Sequence, residues 1–148
     1  MKSKLSRASG WGEIPIHTNK HFKYGGNTMK IITKAVGEHA VTKKVEKLEL
    51  ADMQSLVDGL IQPVYLGKEI ICWCNEEGKL NNMDVNLALA SEEDGTIVDT
   101  IHGNIFFTNE AEGDEGLNPK QIELLLEQLN NGVFTFTYDM NIVPVILI

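Results

Sequence analysis

Cysteine is nearly absent from this chain: Cys72 and Cys74 are its only two among 148 residues. A Cys-x-Cys pair on a strand puts both thiols on one face, poorly placed to bridge each other, so no disulfide framework is expected. Cys72 and Cys74 are therefore read as core residues, with Trp73 on the opposite face. Metal chemistry is excluded on similar grounds. The histidines stand apart at 17, 21, 39 and 102, and no Cys-x-x-Cys or His-x-x-x-His spacing occurs.

Long apolar runs are missing too. The longest, Ile142-Val143-Pro144-Val145-Ile146-Leu147-Ile148, falls far short of the ~20 residues that span a bilayer. Leu5, Trp11, Ile14 and Ile16 are scattered among polar residues and make no signal-peptide core. The expectation is a cytoplasmic protein with no membrane partner.

Basic residues become rare after the first 28 positions. From Met29 onward eight lysines face twenty acidic residues, a net charge of −12. Such a domain repels nucleic-acid phosphates at long range, so non-specific DNA or RNA binding is disfavoured. A small anionic ligand remains admissible where a local basic group or backbone N–H groups receive it.

Residues 1–28 carry Lys2, Lys4, Arg7, Lys20 and Lys23 against Glu13, with no periodicity. That composition cannot bury a core. Gly25-Gly26 can be encoded by the core of a ribosome-binding site, and Met29 opens a strand-like Met29-Lys30-Ile31-Ile32. The segment is read as translated upstream sequence or a disordered basic arm, and 29–148 as one α+β domain.

Within that domain, Met29–Val36 and Ala40–Leu48 read as strands. Met53, Leu56, Val57 and Leu60 form the apolar stripe of a short helix ending near Gly59. Ile61–Leu66 and Glu69–Asn75 read as a hairpin turning at Gly67-Lys68, and Pro63 assigns its first strand to an edge or bulge. Met83–Ala90 fits strand or short helix. Ile97–Ile101 and Asn104–Thr108 are strands around His102-Gly103. A second helix starts at Asn118-Pro119, buries Ile122, Leu125, Leu126 and Leu129, and stops at Gly132. Val133–Tyr138 and Ile142–Ile148 close the chain. The fold class is α+β: a mixed or antiparallel sheet with two main helices packed on it.

The polar turn Asn75-Glu76-Glu77-Gly78-Lys79-Leu80 ends the apolar strand Glu69–Cys74, and Asn86 follows six residues later. Asn75 and Asn86 are candidates to present amides to a ligand, with Lys79 pairing its anionic group. The competing reading is plain turn chemistry, with glycine supplying positive φ and the charges solvated. His102, beside Gly103, is the remaining candidate ligand residue, or a general base paired with Asp99. No nucleophile elbow, phosphate-cradling glycine motif or calcium loop occurs, so no catalytic residue, metal or cofactor is assigned.

Val57-Asp58-Gly59-Leu60-Ile61, the Asn75–Leu80 block, Asn86, Ile101-His102-Gly103-Asn104 and the helix start at Leu117–Ile122 occur in this order. Over about residues 29–130 the pattern resembles a small domain family of unknown function, carried by bacteriophages, plasmids and other mobile elements of Gram-positive bacteria. Val85 and Leu87 flank Asn86 where family members often have proline and arginine. The resemblance implies a phage or mobile-element accessory protein and brings no chemistry with it.

Three functions are carried forward. One is a non-enzymatic protein that sequesters a nucleotide-type, cyclic-nucleotide host defence signal. Another is an acidic module that inhibits a host protein by occupying its basic surface. The last is a small hydrolase using His102 and Asp99. The apolar Val143–Ile148 run must be paired in its own sheet or against another subunit, and homo-oligomerisation is expected from it.

Overall fold

The computed structural model describes residues 28–111 and 116–148; the basic leader and most of the acidic loop after Asn109 lie outside the described residues. Nine strands and two helices follow in the order β1 (Met29–Lys34), β2 (Val41–Val45), α1 (Leu50–Val57), β3 (Ile61–Gly67), β4 (Ile70–Asn75), β5 (Val85–Ala90), β6 (Ile97–His102), β7 (Ile105–Asn109), α2 (Pro119–Asn131), β8 (Thr135–Tyr138) and β9 (Asn141–Leu147). The α+β class holds, with the strands divided between two sheets. The larger runs β2-β1-β7-β4-β3 and the smaller β6-β5-β9-β8. All pairings between named strands are antiparallel except β5 with β9.

Alternation along the central strands assigns each face of the larger sheet to a different core. Ile31, Trp73 and Phe106 point to one side, where they meet Met53, Leu56 and Val57 of α1. Ile32, Cys72, Cys74 and Phe107 point to the other, against Leu87, Leu89, Ile101 and Ile146 of the smaller sheet. Leu125 and Leu129 of α2 fill the same inter-sheet core. Both thiols and Trp73 thus sit where the two-residue period places them.

Local sequence explains most boundaries. Asn118 accepts a hydrogen bond from the Gln121 N–H while the Gln121 amide answers the Asn118 N–H, closing a capping box ahead of Pro119. α1 ends one residue earlier than Gly59 suggests, because Asp58 itself adopts the left-handed cap at φ 62°. Leu60 therefore leaves the helical stripe and is exposed. Pro63 does lie in an edge strand, β3. The β3–β4 turn falls on Lys68-Glu69, both at positive φ, with Gly67 absorbing a bulge.

Within Met83–Ala90 the strand β5 covers Val85–Ala90 and is buried along its whole length in the interior of the smaller sheet. A strand covered on both faces loses polar alternation, which is why its sequence resembles a short helix. Gly103, at φ 89°, is where the chain leaves the small sheet for the large one; a Cβ there would stand 2.8 Å from the Met83 sulfur. β9 finds both neighbours, β5 and β8, within the chain. The C-terminal apolar run thus needs no second subunit to cover it. Among the described residues no helix is long and apolar enough to cross a membrane.

Candidate functional site

The four sequence candidates separate in space by role. Asn75 is a structural clamp. Its amide donates to the Val57 and Asp58 carbonyls at 3.1 and 3.2 Å, and its Oδ1 accepts from the Glu77 N–H at 2.7 Å. These bonds tie the end of α1 to the turn after β4. Gly78 is required in that turn, since a Cβ would lie 2.9 Å from the His102 carbonyl oxygen.

Lys79 turns outward and pairs with Asp99 at 2.5 Å, both side chains solvent-exposed. His102 has both ring nitrogens engaged, Nδ1 with the Met83 carbonyl and Nε2 with the Thr100 hydroxyl, each at 2.9 Å. Tyr138 stands edge-on to the ring at 5.3 Å between centroids. Asp99 is bonded to Lys79 instead, so among the described residues no carboxylate orients His102. The neighbouring Cys74 thiol is pushed up to about 11, chiefly by burial, then by the Asp99 charge, with Lys79 opposing. A thiol held protonated in this way is no nucleophile.

Asn86 goes elsewhere. A bulge between Val85 and Leu87, opposite His102 and Ile101 of β6, inserts one extra residue. The side chain is thereby turned into the inter-sheet interior. There it is fully buried, and its amide donates to the Lys34 carbonyl at 3.0 Å and the Gly103 carbonyl at 2.8 Å. Its Oδ1 accepts from Lys34 Nζ at 2.6 Å, and its backbone carbonyl lies 3.4 Å from the same ammonium. Both Asn86 N–H bonds are spent on the protein; the residue holds Lys34 and also lines the cleft into which that lysine opens.

Lys34 is a candidate site residue that sequence reading missed. It closes β1 and is only 3% exposed. Among the described residues it has no carboxylate at ion-pair distance. Burial pulls its ammonium down to about 8, partly offset by the Glu38 charge nearby. The sliver it exposes faces a cleft of about 480 Å³. One wall is the β1–β2 turn with Gly37, Glu38 and His39; the other is Leu129 of α2 with Ile142, Val143 and Pro144 of β9.

The turn is fixed by two asparagines. Asn104 accepts from the Val36 N–H at 2.9 Å, and Asn130 bonds both backbone groups of Ala40 at 2.8 and 3.0 Å. No sequence signal singled out Lys34: β1 reads Met-Lys-Ile-Ile-Thr-Lys, and its two lysines look alike although only Lys34 is buried. Among the described residues no group of three or more His, Cys, Asp or Glu side chains gathers as a metal site.

Fold and cleft together define an α+β protein of two stacked sheets, with a buried ammonium flooring an opening between them. The chain belongs to the family described as domain of unknown function (DUF3846), whose model matches residues 29–130. The match runs from β1 almost to the end of α2 and leaves β8 and β9 outside it. No curated protein and no solved structure matches the chain.

Proposed function

We propose that this chain is a non-enzymatic accessory protein of a phage or mobile element, which captures a small nucleotide-type anion in the Lys34 cleft. The buried ammonium carries this reading. An isolated charge out of water is costly unless paired, and Asn86 supplies only neutral oxygens. An anionic group in the cleft completes the countercharge that Glu38 supplies only in part, while Leu129, Ile142 and Pro144 offer apolar surface to the remainder of the ligand. The volume of about 480 Å³ lies within the usual range for small-molecule sites, about 300–1,000 Å³. Capture of a cyclic-nucleotide defence signal in the host cytoplasm is the biological form this takes. Sequestration requires affinity and no catalytic constellation.

Thermal-shift measurements against mononucleotides and cyclic dinucleotides test it at neutral pH. A true ligand at a hundred times its Kd stabilises the folded state by about 2.7 kcal/mol. Lys34→Met is expected to abolish that shift, and Lys79→Ala to leave it intact. A panel without any shift transfers the assignment to the second reading, inhibition of a host protein through its basic surface. That reading is favoured by the −12 charge carried after residue 28.

A further inference from the structure

Each of the two sheets ends in two edge strands, and three of these four carry a device that discourages pairing with another chain. β2 has Lys43 and Lys44, β3 has Pro63, and β6 has Asp99 and is bulged against β5. β8 has none of these. From Gln128 to Tyr138 the chain contains no charged residue and no proline. Exposed apolar side chains flank the strand: Val133 at 83% and Phe134 at 57% before it, Met140 at 89% in the turn after it.

The hairpin register decides which backbone groups are open. Tyr138 and Asn141 flank the two-residue turn Asp139-Met140 and form the hydrogen-bonded pair of the β8–β9 ladder. Alternation makes Thr137 with Ile142, and Thr135 with Pro144, the pairs without mutual hydrogen bonds. The N–H and C=O of Thr135 and Thr137 therefore point away from β9, toward the open side. Pro144 fits this pattern, because it has no N–H to give.

We propose that this edge is the interface of a homodimer, in which β8 pairs antiparallel with β8 of a second copy across a twofold axis at Phe136. In that register Thr135 of each copy opposes Thr137 of the other, and the pair exchanges both bonds. Four N–H···O=C bonds form across the axis. Phe134 then lies against Tyr138 of the second copy, so the same patch is complementary to itself, as a closed dimer requires. The occupant is a strand because, among the described residues, no strand pairs with the ladder groups that face it. It is another copy of this chain because two acidic domains can approach only along an uncharged seam, and Gln128–Tyr138 is such a seam. Thr135 and Thr137 share a face with their cross-strand neighbours Pro144 and Ile142, which line the cleft. Pairing therefore continues the cleft wall into the second copy.

Sedimentation or light scattering on the full chain, at tens of micromolar, is expected to give twice the 16.5 kDa chain mass. Thr137→Pro removes two of the four bonds. It spares the hairpin, since proline is tolerated where the N–H faces outward at an edge. That variant is expected at the monomer mass with an unchanged circular dichroism spectrum. Thr135→Lys, which places like charges at the axis, decides the matter if the proline variant does not fold. A monomeric parent chain overturns the proposal, and so does a folded dimer that survives both substitutions.

Discussion

Lys34 and Asn75 show how differently two buried polar residues can behave. Every polar group of the Asn75 side chain is matched by a backbone group, which makes it part of the scaffold. Among the described residues Lys34 is bonded to neutral oxygens and has no carboxylate at ion-pair distance, the Glu38 charge offsetting its burial only in part. Its ammonium is held at about 8 in the fold against 10.5 in the open chain. Between those values the unfolded chain binds the extra proton, so stability rises with pH there; below about 8 both states are charged and the burial cost stands in full. Relative to Lys34→Met, the unliganded protein is expected to gain about 3 kcal/mol between pH 7.5 and 10.5, from a displacement of about 2.5 pK units. Urea unfolding of both proteins across that range measures it, and a constant difference would show that the ammonium is not buried as described. None of this was legible in the sequence, where Lys34 is one lysine among thirteen basic residues. Asn86 was legible as a candidate, yet only the bulge in β5 decides that it faces Lys34.

The elements differ in how far local chemistry specifies them. α2 could be read almost completely from the cap Asn118-Pro119 and its apolar spacing, since these signals act within a few residues. β5 could not, because its burial on both faces is a property of its neighbours. The β8–β9 turn is the weakest local fit. Asp139 and Met140 hold φ of 52° and 71°, the left-handed region that favours glycine. Such a conformation costs an L-residue about 1–2 kcal/mol. Met140 is nearly fully exposed and has little packing to lose. Met140→Gly is therefore expected to raise stability by about 1 kcal/mol in thermal or chemical unfolding. A loss of stability would mean that the methionine side chain makes contacts that outweigh the strain.

At the scale of the whole molecule, the family match and the folding unit do not coincide. Residues 29–130 carry the match, but β9 occupies the middle of the smaller sheet. Ile146 belongs to the inter-sheet core, while Val143 and Val145 cover Ala88 and Ala90 on the outer face. A chain cut after Asn131 keeps the matched region and strips one long edge of β5 bare. It is expected to lose its cooperative thermal transition, followed by circular dichroism; a sharp melt would show that β1 to α2 is sufficient.

Composition and short-range pattern determined the α+β class, the acidic character after residue 28, the start of α2, the faces of Cys72, Trp73 and Cys74, and the edge-or-bulge position that Pro63 demands. Each rests on chemistry confined to one residue or one period. The division into two sheets, the insertion of β9 beside β5 and the meeting of Lys34 with Asn86 rest on contacts between residues far apart in the chain. Asn86 and Lys34 are 52 positions apart, and no local signal couples them. The polar block at Asn75–Leu80 drew attention because its chemistry is concentrated in sequence. The cleft is assembled from β1, the β1–β2 turn, β5, α2 and β9, and only tertiary packing brings those together.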